Sequence, residues 1–108
     1  MDITQLRGKI DKIDDELVQL FTQRMAVAEE IAAYKKENGL PIYVPARERE
    51  KLQDVAEKAG PEMANYTRVL YSMLFELSRS YQGSKNLKSS PLHDSITEAI
   101  ENTDKLFP

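Results

Sequence analysis

The chain has 108 residues, 41% of them hydrophobic, which favours one domain with a thin core, and its net charge of −3 argues against a nucleic-acid binder. It has no Cys and a single His, His93, so disulfides, zinc sites and a Ser-His-Asp triad are not expected. No apolar run approaches the roughly 20 residues that span a bilayer and no signal-peptide pattern is present, so we expect a cytoplasmic domain without metal or cofactor.

Gly and Pro divide the chain into segments with helical periodicity. The predicted helices cover residues 3–38, 45–59 and 62–82, with a weaker fourth over residues 91–104. No alternating run of β-branched residues indicates a strand, so the predicted fold class is all-α. We expect a helical domain at residues 1–83, followed by a linker or C-terminal tail at residues 84–108.

The first helix is the longest, and Asp2 with Gln5 forms a capping-box pattern at its start, while Asn38-Gly39 ends it. At 1.5 Å per residue it forms a rod of about 54 Å, whereas a domain of this size has a radius of gyration of about 13 Å. One short chain does not cover the apolar stripe of such a rod, so we predict an intertwined homodimer with antiparallel long helices. The stripe consists of Ile3, Leu6, Ile10, Ile13, Leu17, Leu20, Val27, Ile31 and Tyr34.

Arg24 interrupts this stripe at a position where the three-and-four spacing calls for an apolar side chain. It either reaches solvent or a salt bridge, or it faces a cavity built for an anion, and the spacing alone leaves both open. Lys35 lies eleven residues further and about 20° away around the helix, so the two cations share one face. Arg7 lies about 100° away from Arg24, which places it to reach the pocket of an antiparallel partner.

The third segment carries Ser78 and Gln82 four residues apart, on the apolar side that starts at Tyr66 and is expected to pack on the first helix. They are either ordinary polar residues near a helix end or part of a site. The second segment opens with the alternating charges of residues 47–51, a pattern that is usually a solvated helix face.

Taken together, these residues resemble the all-helical class of chorismate mutases over about residues 3–83. The resemblance rests on an ordered set with matching spacings: Leu6-Arg7-Gly8-Lys9-Ile10-Asp11, Arg24 with Ala28 and Lys35, Pro41-Ile42-Tyr43-Val44-Pro45-Ala46-Arg47-Glu48, and Ser78 with Gln82. It implies an intertwined dimer of three-helix chains. It also implies an isomerase that rearranges chorismate to prephenate in phenylalanine and tyrosine biosynthesis, a unimolecular reaction that needs no metal or cofactor.

The resemblance further implies roles for the charged and amide side chains. Arg24, together with Arg7 from the other chain, would bind the two substrate carboxylates. Lys35 and Gln82 would donate hydrogen bonds to the ether oxygen of the breaking bond.

On the hydroxyl side of the pocket, the resemblance implies that Glu48 binds the ring hydroxyl, Ser78 lies by a carboxylate and Arg47 lines the pocket. This chain departs from the family at Val44, where the family usually has Asp. Only the backbone of Val44 is then able to contact the hydroxyl, and Glu48 is left to bind it.

The tail at residues 84–108 resembles the linker between chorismate mutase and prephenate dehydratase in bifunctional proteins, and the alternative is a C-terminal helix that packs on the dimer. Two other functions remain open. An isochorismate pyruvate lyase shares the fold and much of the charge pattern. A non-catalytic regulatory or dimerisation module is compatible with Val44 in place of an acid.

Overall fold

The computed structural model describes residues 1–85, which form three α-helices and, within this range, no strand. They are α1 (Ile3–Glu37), α2 (Pro45–Ala59) and α3 (Ala64–Lys85). The predicted all-α class and the order of the three helices are confirmed. α3 begins two residues later than predicted because residues 61–63 form a turn. The fourth helix, predicted over residues 91–104, lies outside the described residues.

Local sequence sets both ends of α1. Asp2 Oδ1 accepts a hydrogen bond from the Gln5 N–H at 2.8 Å, and Gln5 Oε1 accepts one from the Asp2 N–H at 3.1 Å, which confirms the capping box. At the other end Gly39 adopts a φ of 66°, a left-handed conformation that favours glycine. The Leu40 N–H then donates to the Lys35 carbonyl at 2.8 Å. This carbonyl of the last turn thus has a hydrogen-bond partner, and the helix ends there.

The start of α2 lacks a polar cap. Val44 occupies the N-cap position in an extended conformation and its side chain makes no capping hydrogen bond. Pro45 follows as the first helical residue, where its missing N–H is tolerated. The start of the helix is therefore stabilised by the proline and by the Val44 carbonyl. This carbonyl accepts hydrogen bonds from the Arg47 and Glu48 N–H groups at 3.1 and 3.3 Å.

α3 packs against both other helices and is the centre of the fold. Contacts between Arg24 and Ser78 and between Ala28 and Gln82 show that the C-terminal half of α1 runs parallel to α3. α2 runs antiparallel to α3, since Glu48 near its start contacts Arg79 near the end of α3, whereas Ala56 near its end lies beside Ala64. The buried apolar residues of the described chain are few, as the composition predicts, and all but one are small: Ala28, Ala32, Val55, Ala56 and Phe75.

The N-terminal half of α1 is uncovered, because every residue from 1 to 20 is exposed. The molecule is 54 Å long with a radius of gyration of 16.6 Å, well above the roughly 13 Å of a compact chain of this length. On α3, only the C-terminal part of the apolar side packs on α1, whereas its N-terminal part stays exposed. The exposed apolar residues include Ile3, Leu6, Ile10, Ile13, Leu17 and Leu20 on α1 and Tyr66, Val69, Leu70 and Met73 on α3.

Candidate functional site

Arg24 is held at the α1–α3 interface without an acidic partner. Its Nη1 donates to Ser78 Oγ at 3.0 Å, and its guanidinium carbon lies 5.8 Å from the Tyr71 ring centre and 5.7 Å from that of Phe75. The Ser78 hydroxyl in turn donates to Met25 Sδ at 3.8 Å. No carboxylate within residues 1–85 pairs with Arg24. Its positive charge is therefore fixed in place and left uncompensated within the described chain, which favours the anion-site interpretation.

Gln82 lies one helical turn beyond Ser78 and is buried. Its Nε2 donates to the Ala28 carbonyl at 3.0 Å, and Ala28 is itself one turn beyond Arg24 on α1. This hydrogen bond fixes the orientation of the amide, since only the nitrogen side is able to donate. A primary amide has two N–H groups, so one donor of Gln82 remains for a ligand. The structure thus brings Arg24, Ser78 and Gln82 together where α1 meets α3, and Ser78 and Gln82 lie on one side of α3, the position that their four-residue spacing predicts.

Lys35 lies on the same side of α1, about 16 Å along the helix from Arg24. Its half-buried side chain donates from Nζ to the Ile42 carbonyl at 3.1 Å, which ties the α1–α2 loop to α1. An ammonium group has three hydrogens, so two remain after this bond. Like Arg24, Lys35 pairs with no carboxylate in the described part of the chain.

Glu48 is joined to Arg79, a residue that the sequence analysis did not single out. Arg79 Nη1 donates to Glu48 Oε2, and the two side chains are 24% and 25% exposed. The Arg79 guanidinium also lies 4.7 Å from the centre of the Tyr43 ring. The sequence carried no signal for Arg79, because its contact with Glu48 depends on how α2 packs against α3.

Three other predicted site residues, Arg7, Val44 and Arg47, do not bring their side chains to Arg24, Ser78 and Gln82 within one chain. The Arg47 guanidinium pairs with Glu50 at 3.6 Å, and both side chains are largely exposed. Val44 contributes only its backbone carbonyl. Arg7 is exposed, makes no hydrogen bond or ion pair within residues 1–85, and lies about 26 Å from Arg24 along α1.

A groove of about 410 Å³ runs between α1 and α3 beside Arg24. Arg24 is the only charged residue that lines it, and the remaining walls are apolar side chains such as Leu17, Phe21 and Leu74. Leu17, Leu20 and Leu70, which also line the groove, are exposed to solvent. The groove therefore places one fixed cation at the edge of an apolar, unfilled surface.

A charge network on the outer face of α2 is separate from this cluster. Lys58 Nζ and Lys51 Nζ donate to Asp54 Oδ2 at 3.0 and 3.3 Å. These hydrogen bonds, that from Lys58 first, hold the pKa of the Asp54 carboxyl below its ordinary value of 3.8. The network stabilises the helix surface and offers no group to the site.

Two negative findings apply to residues 1–85. No three His, Cys, Asp or Glu side chains gather as they would around a metal ion. No helix in this range has the length and apolar content needed to cross a membrane.

Comparison with known proteins identifies a family and several relatives. Residues 6–83 match the family model described as chorismate mutase type II. The chain is 44% identical over 61 residues to the T-protein of Haemophilus influenzae, a match that covers 54% of this chain and 16% of the relative. It is 39% identical over 54 residues to the bifunctional chorismate mutase/prephenate dehydratase of Aquifex aeolicus, covering 50% of this chain and 15% of the relative.

A third relative is the chorismate mutase of Methanocaldococcus jannaschii, 36% identical over 47 residues that cover 44% of this chain and 48% of the relative. The chain therefore spans less than half of each of these curated relatives. No solved structure matches it significantly.

Proposed function

Because the chain belongs to the chorismate mutase type II family, we propose that its helical domain rearranges chorismate to prephenate as a homodimer. The observation that carries the proposal is Arg24, a half-buried cation that Ser78 holds in place and that no carboxylate neutralises within residues 1–85. Such a group stabilises a bound anion, and chorismate carries two carboxylates. The names of the relatives from Aquifex aeolicus and Methanocaldococcus jannaschii support the same activity.

The chemistry of this rearrangement suits the groups that the site holds. One C–O ether bond breaks and one C–C bond forms within a single molecule, so no proton or electron pair passes to the protein. The protein lowers the barrier by holding the substrate in its compact chair conformation and by stabilising the negative charge that grows on the ether oxygen. Fixed cations and amide donors are sufficient for both tasks.

Arg24 is the anchor for one substrate carboxylate. Its Nη1 is occupied by Ser78, and the Tyr71 and Phe75 rings hold the guanidinium plane, so the remaining N–H groups keep a constant direction. A planar guanidinium binds a carboxylate through two parallel hydrogen bonds. Ser78 lies beside that carboxylate, which agrees with the role implied by the family.

Lys35 and Gln82 are the donors to the ether oxygen. Each uses one hydrogen to hold its own position, on the Ile42 and the Ala28 carbonyls respectively, and each keeps at least one donor for the substrate. Donors that are already oriented need no reorganisation when charge develops, which is the condition for strong transition-state stabilisation.

The second carboxylate requires a second chain. Arg7 lies about 26 Å from Arg24 along the same helix, beyond the reach of a side chain. Antiparallel pairing of two α1 helices covers the exposed apolar residues and brings Arg7 of the partner subunit to the groove beside Arg24. An apolar surface of this extent is typical of a protein interface. Each dimer then has two sites, and each site is built from both chains.

Residues 1–83 are the proposed catalytic domain, since the family model ends at residue 83. Residues 84–108 are the proposed linker or tail. The relative from Aquifex aeolicus is named for a chorismate mutase and a prephenate dehydratase, so fusion to a prephenate dehydratase domain is part of the proposal.

The decisive experiment follows chorismate loss by absorbance and identifies the product, and repeats the assay with isochorismate. We expect conversion of chorismate to prephenate. Release of pyruvate from isochorismate, without chorismate turnover, would refute the proposal in favour of a lyase. Turnover of neither substrate would leave a non-catalytic module.

A mixing experiment tests the shared site. Arg7→Ala and Arg24→Ala chains are each expected to be inactive alone. In a heterodimer of the two, one site carries both lesions and the other is intact. Random mixing in equal amounts should therefore restore about one quarter of the wild-type activity. If the mixture stays as inactive as its components, the sites are not shared between chains.

A further inference from the structure

We propose that Arg79 is a positioning residue for recognition of the substrate hydroxyl. It fixes the Glu48 carboxylate so that Glu48 Oε1 accepts a hydrogen bond from the ring hydroxyl. This inference rests on the proposed function. It adds a residue on α3 to the hydroxyl side of the pocket, where the chain has Val44 at the position that the family usually gives to an acid.

The first support is the ion pair itself. Arg79 Nη1 binds Glu48 Oε2, and about three quarters of each side chain is removed from solvent. The other carboxylate oxygen, Oε1, makes no hydrogen bond within residues 1–85. An ionised carboxylate only accepts hydrogen bonds, so one oxygen is committed to Arg79 and the other is available to a hydroxyl donor.

The second support is the way in which Arg79 is held. Its guanidinium lies 4.7 Å from the centre of the Tyr43 ring, a distance at which a planar cation stacks on an aromatic face. The preceding residue, Ile42, is held through its carbonyl by Lys35. Lys35 from α1 and Arg79 from α3 therefore hold two consecutive residues of the loop that leads into α2. The position of this loop determines the position of the first turn of α2, which carries Glu48.

The third support is the absence of a polar side chain at Val44, which Arg79 offsets by holding Glu48. Val44 supplies neither a helix cap nor a polar side chain, so Glu48 alone is left to bind the hydroxyl. A free Glu side chain loses rotamer freedom when it binds a ligand, which weakens binding. An ion pair formed before the substrate arrives removes much of that cost.

The test is a double-substitution cycle on the full chain with chorismate as substrate. Arg79→Met should raise KM about tenfold, the size of loss expected when a hydrogen bond to a charged group is misaligned, and should change kcat less than about twofold. In a Glu48→Gln background the same change should alter KM by less than about twofold, because the carboxylate that it positions is gone. Arg68→Met is the matched control, since within residues 1–85 the Arg68 side chain bonds only to Asn65 on the same helix, and it should leave both constants unchanged.

Arg79→Lys separates positioning from charge. Lysine keeps the positive charge but lacks the flat fork that stacks on Tyr43, so we expect a KM between those of the wild type and Arg79→Met. Circular dichroism checks that each variant is folded. If Arg79→Met does not fold, Arg79→Lys decides, and a wild-type KM for that variant overturns the inference.

The remaining outcomes are also distinct. Effects of Arg79→Met and Glu48→Gln that simply add overturn the positioning role, as does a loss of kcat at constant KM. A wild-type chain that does not turn over chorismate refutes the proposed function and this inference together. An active wild type with additive effects refutes this inference alone.

Discussion

Gln82→Glu separates the role of the Gln82 amide as a donor from its role in packing. In the structure the amide is buried, with 8% of the residue exposed, and donates from Nε2 to the Ala28 carbonyl at 3.0 Å. The substitution keeps the shape of the side chain and replaces the nitrogen with oxygen. Once ionised, the introduced carboxyl has no hydrogen to give to Ala28 or to the substrate.

The expected magnitudes follow from these two lost donors. Loss of the hydrogen bond to the Ala28 carbonyl, which keeps its partner within α1, lowers the free energy of unfolding by about 0.5–1.5 kcal/mol. Loss of the donor to the ether oxygen lowers kcat by about 10²–10³, equivalent to about 2.7–4 kcal/mol. At low pH the protonated carboxyl has one O–H, which serves either Ala28 or the substrate. Activity should therefore recover in acid only in part.

Two opposing effects set the pH of that recovery. Burial raises the pKa of the introduced carboxyl, whereas the positive charges of Lys35 and Arg24 on the same face lower it. The measurement is kcat between about pH 4 and 8 for the wild type and for Gln82→Glu, with circular dichroism at each pH. Gln53→Glu is the matched control, since Gln53 is exposed on α2 and bonds only to Glu57, and its kcat should follow the wild type.

A Gln82→Glu profile that parallels that of the wild type would refute this reasoning. The assignment of the ether-oxygen donor would then rest on Lys35 alone. A fall in thermal stability without any change in kcat would instead leave Gln82 as a packing residue that ties α3 to α1.

Two further predictions concern α2. Val44→Asp gives the helix a side-chain cap for the Ala46 or Arg47 N–H. It should raise the free energy of unfolding, measured by urea denaturation, by about 1 kcal/mol and should also lower KM. Loss of both stability and activity would contradict this prediction. Asp54→Asn should lower Tm slightly at neutral pH, because the depressed pKa of Asp54 means that its ionised form stabilises the fold above its ordinary value of 3.8. That contribution disappears as pH falls through the lower folded value, so a Tm difference that persists in strong acid would refute it.

The sequence is sufficient for features that depend on local geometry. The capping box of Asp2 and Gln5 and the stop at Gly39 involve residues a few positions apart, and both appear as predicted. Periodicity also places Arg24 and Ser78 each on the apolar side of its own helix, and the structure shows that the two side chains meet there. Helical periodicity marked these residues as unusual, and the family resemblance was needed to assign them to one site.

The pairing of Glu48 with Arg79 was out of reach for the same reasoning. The two residues are 31 positions apart, and their contact depends on how α2 and α3 pack. Within the charged run at residues 47–51, neighbours differ by 100° around the helix, so Arg47 turns to solvent and Glu48 turns to α3. A pattern of alternating charge does not say which member of the run turns inward.

The exposed first half of α1 has a consequence for how this protein responds to dilution. Residues 3–20 are exposed along their whole length, and a helix segment of this length has little stability of its own in water, so in the proposed dimer much of its order would come from association. In the proposed dimer, unfolding is then coupled to dissociation. Each tenfold dilution lowers the free energy that favours the folded dimer over separate chains by about 1.4 kcal/mol. Near the dissociation constant, halving the amount of protein removes more than half of the activity. In such a dimer, the activity of each chain would depend on how much of the protein the cell makes.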